Sequence, residues 1–377
     1  MSKTYLVKWK ALEFYFLSGE KNFGYGANRN YNGNPYFIHS LMTPTPTTLL
    51  GTIRYEILRR LNCLNDYTVS QIENLIRKQA KLVGSKSFNL SDEELKKEWE
   101  FGIIKKISPL FIVDGDDYII KAPYHKYFNK DVNSLNYVGR CLKQEKYELL
   151  DGINKRNLAL MESIKLKEEY KHRSFYYSIN NKKLVKNDSL FLTEVRVGIN
   201  TKDAKDGFFK KEYCRLKPKY DFAVLLELDE NEALVSSINE NNRSIVYMGM
   251  SKSAFVMTIE EIDQTVDSFE EKVKDSLKME NINDYSVYYA LSDIYVDYWE
   301  LSKYCSLILG DCTEFRNLTT KSDSSSHYNR FSASDLHYMM NKGSVFFVED
   351  NVGFEKLFKN NNLNNIGFNK VIKIGGK

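Results

Sequence analysis

Apolar and polar positions alternate from the first residues. Thr4-Tyr-Leu-Val-Lys-Trp-Lys-Ala-Leu-Glu-Phe-Tyr-Phe16 is rich in β-formers at period two and predicts a strand. The period changes in Pro44-Thr-Pro-Thr-Thr-Leu-Leu-Gly-Thr-Ile-Arg-Tyr-Glu-Ile-Leu-Arg-Arg60. There Leu49, Leu50, Ile53, Ile57 and Leu61 recur at helical spacing, so one face of a helix packs on a core. Thr45 is placed to cap it, and Pro46 sits in the first turn, where its missing N–H costs nothing. The glycine- and asparagine-rich segment between them, 18–43, reads as a long loop.

The same reading continues along the chain. It predicts a helix at about 68–82, a charged helix at about 91–100, and a hairpin over Pro109-Leu-Phe-Ile-Val-Asp-Gly-Asp-Asp-Tyr-Ile-Ile-Lys-Ala-Pro123. The Asp-Gly pair between two apolar runs makes that hairpin the clearest local β signal. Residues 129–190, rich in lysine and asparagine, read as an insertion with helical patches near 140–150 and 157–171. Strands are expected at 191–199 and 221–228, then at 244–250, 253–259, 286–292 and 305–309, with a helix at 267–279. A serine-rich loop (Ser322 to Ser326) precedes a final strand, short helix and strand at 343–349, 352–359 and 369–376. Strands and helices mixed with hairpins predict an α+β protein. Two split β-α-β units, each ferredoxin-like (RRM-like), satisfy the order. The expected division is 1–228, carrying the 129–190 insertion and a hairpin arm at 196–220, and 229–377.

Composition narrows the class. With 377 residues, 42% hydrophobic and 14% aromatic, the chain is long and apolar enough for two cores, which argues against disorder. No apolar run approaches the roughly 18–20 residues that cross a bilayer, and the N-terminus lacks a signal-peptide core. A soluble cytoplasmic protein is expected. The cysteines (Cys63, Cys141, Cys214, Cys305, Cys312) are scattered and form no C-x-x-C, so they read as reduced, mostly buried thiols. The histidines form no ligand pair either, and neither a metal nor a cofactor is expected.

Charge changes the picture more. The net charge of +4 hides a block of +9 over residues 140–219 and one of −9 over 258–300. Such asymmetry suits a polyanion on one surface and solvent or a basic partner on another.

The basic block contains the densest candidate chemistry. Between Arg196 and Tyr220, Arg196, Lys202, Lys205, Lys210, Lys211, Arg215, Lys217 and Lys219 interleave with Phe208, Phe209, Tyr213 and Tyr220. Cations against a backbone and aromatics against bases are what single-stranded nucleic acid requires. An ordinary hairpin with solvated lysines fits the same residues equally well. At the opening helix, Thr47, Thr48 and Arg54 lie at or beside an end whose N–H groups and dipole suit a phosphate, although a well-capped structural helix is the simpler account. Gly249-Met-Ser-Lys-Ser253, with Ser251 at its centre, could clamp a backbone through exposed N–H groups and Lys252, although a tight hairpin turn is the commoner use of such a segment. Asp114-Gly-Asp-Asp117 is acidic but lies where the hairpin turns. His327 could serve an RNA-cleaving site, and a loop histidine is more often structural. No P-loop, dinucleotide fingerprint or nucleophile elbow is present.

Four blocks, taken in order, resemble the third-subunit family of the type III-B CRISPR (Cmr) effector complex, in the RAMP superfamily. They are Leu12-Glu-Phe-Tyr-Phe-Leu-Ser-Gly-Glu20 with Pro44 to Arg60; Phe101 to Pro123; Glu194-Val-Arg-Val-Gly-Ile199 running to Leu216; and Lys342-Gly-Ser-Val-Phe-Phe-Val-Glu349 with the glycine-rich end. The resemblance implies a non-catalytic RNA-binding subunit of two ferredoxin-like folds. It would grip the 5′ repeat tag of the guide RNA and dock beside the large Cas ten-type subunit and the backbone subunits. The implied positions are Ser18 and Lys21 in the loop, Thr47, Thr48 and Arg54 on the helix, and Arg196 to Arg215 on a projecting hairpin that kinks the guide. The family's glycine- and proline-containing approach to the Gly-Ser-Val strand is replaced here by Met339-Met-Asn-Lys342. A repeat-cleaving endoribonuclease of the superfamily, the equivalent subunit of a Csm or type III-D complex, and a protein-only scaffold using the acidic 258–300 face are the alternatives.

Overall fold

The computed structural model of the chain describes residues 2–22, 36–64, 69–84, 90, 97–124, 126–129, 132–137, 159–161, 175–199, 208–249, 251–279, 285–315, 318–321, 330–333, 336–359 and 361–376. Its first elements are β1 (Ser2–Ala11), β2 (Ser18–Asn22), β3 (Tyr36–Ser40), α1 (Pro46–Arg60) and α2 (Val69–Val83). Strands follow as β4 (Ile104–Ile107), β5 (Phe111–Asp114), β6 (Asp117–Lys121), β7 (Lys126–Asn129), β8 (Val132–Tyr137), β9 (Ala159–Met161), β10 (Phe175–Ser178) and β11 (Lys183–Lys186). After the short α3 (Asn187–Leu190) come β12 (Phe191–Ile199), β13 (Phe208–Leu216) and β14 (Asp221–Asp229). Next are α4 (Glu232–Glu240), β15 (Arg243–Met248), β16 (Ser253–Ile262), α5 (Val266–Leu277), β17 (Ser286–Ala290) and α6 (Tyr298–Ser302). The end of the chain holds β18 (Cys305–Leu309), β19 (Cys312–Phe315), β20 (Leu318–Lys321), β21 (Arg330–Ala333), β22 (His337–Met340) and β23 (Val345–Val348). It closes with α7 (Asn351–Leu357), α8 (Asn361–Asn365) and β24 (Val371–Gly375).

The class is α+β with mostly antiparallel sheets. The largest sheet runs β11-β10-β6-β5-β14-β1-β16-β15, with β4 also on β14. β1 lies between β14 and β16, so residues 243–262 extend the sheet begun by residues 2–11. The period-two pattern of β1 has the expected effect: Tyr5, Val7, Trp9 and Ala11 are buried on one face. Against them pack Leu49, Leu50, Ile53 and Ile57 of α1, the stripe read from the sequence. The other face, over β5 and β14, is covered by α5 and the β17–β23 sheet through Ala223, Leu225, Phe111, Phe269, Val273 and Val345.

Several sequence expectations change. The first strand ends at Ala11 rather than 16, because the chain turns and Tyr15 bridges to Cys214 instead. The expected loop 18–43 contains β2 and β3, which join β12 and β13 in a sheet of order β12-β13-β3-β2. The 196–220 hairpin therefore does not stand free, since β3 pairs in parallel with β13. Residues 97–100 of the expected charged helix are not helical, while 91–96 lie outside the described residues, as does the 140–150 patch. Within the expected 157–171 helix, the described residues 159–161 form β9, a parallel strand on β18. The helix α4 was not anticipated, although Asn231 caps it by accepting from Leu234 N–H at 3.0 Å. The second helix and the Asp-Gly hairpin stand where expected. Cys63, Cys214 and Cys305 are buried free thiols and Cys312 is exposed.

Candidate nucleic-acid interface

The four-stranded sheet orders the basic arm. In its register Lys21 stands beside Ile38, Ile38 beside Lys211, and Lys211 beside Arg196, which makes one row across all four strands. Residues directly opposite share a face. Lys210 belongs to the next row, with Val197, on the reverse face; in the backbone register Lys210 also pairs with Phe37, Phe209 with Gly198 and Phe208 with Ile199. Alternation thus splits the expected contacts between two faces.

On the Lys211 face, cations stack on rings. The Arg196 guanidinium lies 4.5 Å from the Tyr213 ring centroid, and Lys211 Nζ lies 5.2 Å from that of Phe16. The Phe16 and Tyr213 rings are themselves in contact at 5.4 Å. Arg196 Nε also donates to Glu194 Oε1 at 2.8 Å, which holds the guanidinium over its ring at a half-exposed site. These pairs form an alternating line, Arg196, Tyr213, Phe16, Lys211, in which each charge is placed by an aromatic neighbour. Arg215 pairs with Leu192 nearer the base of the hairpin, and its Nε is buried.

Phe16 links this line to the rest of the molecule. Tyr15 exchanges backbone hydrogen bonds with Cys214 at 2.7 and 3.0 Å, and Phe16 N–H donates to Ser253 Oγ at 3.1 Å. Burial pushes the Cys214 thiol up to about 11, so it serves as packing rather than as a nucleophile. Ser251 and Lys252 lie in the β15–β16 turn, where Lys252 has φ 49° and its N–H donates to Gly249 O at 3.1 Å. Gly249, at φ 69°, needs its lack of a side chain: a Cβ there would lie 3.1 Å from Phe16 O. The segment is a tight turn pressed against Phe16.

At α1 the cap is as expected. Thr45 Oγ1 accepts from Thr48 N–H at 3.3 Å and lies 3.0 Å from the hydroxyls of both Thr47 and Thr48. The cap thereby takes up part of the donor capacity that suited a phosphate. Arg54 is not at this end. It sits eight residues past Pro46, about 12 Å along the axis at the usual rise, over the Phe101 ring at 5.7 Å. Burial lowers its guanidinium to about 10.

Lys342 was not anticipated as a site residue. Its Nζ donates to Thr43 Oγ1 at 2.9 Å, three residues before α1 begins, and its backbone N–H donates to Asp293 Oδ1 at 2.9 Å. Burial lowers its ammonium, with the Asp293 charge opposing that shift. The next residue, Gly343 at φ 97°, approaches Ala122 O so closely that a Cβ would lie 3.0 Å away, and its carbonyl accepts from Tyr124 N–H at 2.9 Å. The sequence held one signal for Lys342, its departure from the resemblance at that position.

The four sequence blocks therefore meet in space. Arg54 with Phe101 and Phe16 with Tyr213 join the first block to the second and third, while Thr43 and Tyr124, each one residue outside a block, reach Lys342 and Gly343 of the fourth. Asp117, in the acidic hairpin turn, accepts from Asn180 N–H at 2.9 Å and Asn181 Nδ2 at 2.8 Å, a turn-stabilising role. His327 and the serine-rich loop lie outside the described residues. Among the described residues no group of three or more His, Cys, Asp or Glu is placed to hold a metal, and no helix is long and apolar enough to cross a membrane.

Comparison with known proteins adds the following. A search of the curated proteins finds no match. A chain of a type III-B Cmr-beta complex bound to cognate target RNA and AMPPnP is similar in structure, with TM-score 0.44, 13% identity, and coverage of 99% of this chain and 97% of that one. A chain of the Csm3–Csm4 subcomplex of the type III-A CRISPR-Cas interference complex is similar at TM-score 0.37 and 14% identity, covering 92% of this chain and 94% of that one. Residues 25–374 match the model of the family described as CRISPR-associated protein (Cas_Cmr3). With nearly its whole length matched, and the four blocks converging as described, the chain belongs to the Cas_Cmr3 family, the third-subunit family of the type III-B CRISPR Cmr complex.

Proposed function

We propose that this chain is a non-catalytic RNA-binding subunit of a type III-B Cmr complex. It grips the 5′ repeat tag of the guide RNA and docks to the large Cas ten-type subunit and the backbone subunits. The observation that carries the reading is the Arg196–Tyr213–Phe16–Lys211 line, in a member of the Cas_Cmr3 family. Guanidinium and ammonium groups beside aromatic rings supply phosphate attraction and base stacking on one surface. Lys21, in the same row, belongs to this contact, as do Ser18, Phe209, Arg215, Ser251 and Lys252 around it, while Phe208 and Lys210 are assigned to RNA passing the reverse face of the hairpin. Thr47 and Thr48, on the helix that Thr43 and Lys342 anchor, are assigned to the tag itself, and Arg54, farther along the helix over Phe101, is assigned to supporting that contact rather than making it. Two ferredoxin-like units, 1–228 and 229–377, are part of the same proposal, with residues 243–262 of the second completing the sheet of the first.

The test is binding of tag-bearing guide RNA to the purified protein over a salt series. Each phosphate contact contributes roughly one unit to the slope of log affinity against log salt. Arg196→Ala and Lys211→Ala should each weaken binding and flatten that slope by about one unit. An unchanged slope in the double variant, or cleavage of the RNA without metal, would overturn the reading.

A further inference from the structure

Among the described residues, the largest sheet is covered by its own chain on one face along β1 and β16, but not on the other. On that second face, α5 and the β17–β23 sheet cover β5 and β14 and leave the β1–β16–β15 end open. The open end is apolar. Ile245 and Tyr247 of β15 are 58% and 62% exposed, and Leu12, just past β1, is 47% exposed. Register places Tyr247 beside Ala254 and Ile245 beside Val256, while Leu12 N–H donates to Ala254 O at 3.2 Å. Val246 and Met248 alternate to the buried side, so the exposure of Ile245 and Tyr247 is a property of the face and not of a frayed strand.

The charges around this patch lean basic, with Lys8, Lys10 and Arg243 against Glu260 and Asp221. Lys10 stands beside Val256, and Arg243 stands beside Thr258, which in turn pairs with Lys8. Glu260 is already held by Lys8 at 2.8 Å, and Asp221 faces Lys8 and Lys10 from β14. Arg243 is exposed and makes no ion pair among the described residues, and Lys252 lies at the turn beyond Tyr247. Three strands at the usual spacing span about 10 Å, the width of one helix.

We propose that this face is a docking surface for another protein subunit, through one amphipathic helix whose apolar stripe covers Leu12, Ile245, Tyr247 and Val256. Acidic residues beside that stripe meet Arg243 and Lys10. Aliphatic side chains dominate the patch and only one ring is exposed on it, which suits a protein helix better than stacked bases. The inference rests on the reading that the chain works within a multi-subunit complex, and it adds the surface and the chemistry of the partner.

The test uses the full chain, tagged and assembled in its host, with the photo-crosslinking residue benzoylphenylalanine in place of Tyr247, an exposed aromatic-for-aromatic change. The expected crosslink is to one other subunit, at a helical segment with an apolar stripe flanked by Asp or Glu. Arg243→Glu with Ile245→Glu should reduce recovery of that subunit at least tenfold while guide RNA remains bound, with unchanged melting temperature as the folding control. Crosslinks to RNA, to residues 138–174 of the same chain or to a second copy would overturn the proposal, as would unaltered subunit recovery in the charged variant. Loss of every subunit and of RNA from the unmodified protein would instead overturn the complex itself, a distinguishable result.

Discussion

The buried Glu56 shows how much a single residue can hold. Its carboxylate, 1% exposed, accepts from Arg59 at 2.7 and 2.8 Å and from Arg60 Nε at 2.6 Å. Arg60 in turn donates to Ser237 O and Asn241 O, the C-terminal end of α4, at 2.9 and 2.7 Å. One carboxylate therefore ties α1 to the helix after β14, beneath the sheet that carries the proposed docking face. Breaking such a buried pair costs about 3–5 kcal/mol, because a desolvated charge is left behind. Glu56→Gln should lie toward the lower end of that range, since the amide keeps one acceptor, and urea unfolding would measure it. Burial pushes the Glu56 carboxyl up, but the Arg59 hydrogen bond and the Arg60 charge pull it further down, leaving it below its ordinary 4.5. A depressed folded-state value stabilises the protein fully above 4.5 and loses that contribution as pH falls through the folded value. The stability gap between wild type and Glu56→Gln should therefore be constant near neutrality and narrow below pH 4.5; a pH-independent gap would assign the cost to shape alone.

At the scale of elements, α1 separates two roles that one short threonine run could share. Thr45 Oγ1 caps the helix, while Thr47 and Thr48 approach it only through their hydroxyls and, for Thr48, its N–H. Thr45→Ala should lower stability by about 1 kcal/mol, the usual cost of a lost cap. Thr47→Ala should leave the melting temperature nearly unchanged and act on RNA affinity. Equal destabilisation by both would mean that the hydroxyl cluster is purely structural. Elements whose signals are local were legible in the sequence: the α1 stripe, the Asp114-Gly-Asp-Asp117 turn and the alternation of β1 each follow from neighbouring residues. β2 and β3 were not, because their identity as strands comes from a distant partner. His39 and Glu212, joined at 2.7 Å, are 173 residues apart. Nothing within 18–43 announces that pairing, and the asparagines and glycines there favour the loop reading. The same non-local pairing converts the expected free arm into the edge of a sheet with two unlike faces.

For the whole molecule, the order of weak motifs carried more than any motif alone. The hydroxyl-rich helix start, the basic arm and the Gly-Ser-Val strand are each compatible with an ordinary structural role. Their convergence through Thr43, Lys342, Gly343 and Phe16 is a tertiary fact. What the sequence did not disclose was which basic residues share a face. Lys210 and Lys211 are adjacent in the chain yet stand on opposite sides, and only Lys211 joins Arg196 and the ring of Phe16. The docking face on β1, β16 and β15 was hidden for a related reason, since Ile245 and Tyr247 look like core residues until the partner strands show which side is covered. The central claim, that this protein holds a guide RNA by its tag, is tested most directly by sequencing the RNA recovered with the tagged protein from its host. Wild type should carry short guides sharing one 5′ sequence, and the Arg196→Ala, Lys211→Ala variant should carry several-fold less of them. A complex recovered without such guides, or with RNA lacking a common 5′ end, would contradict the account.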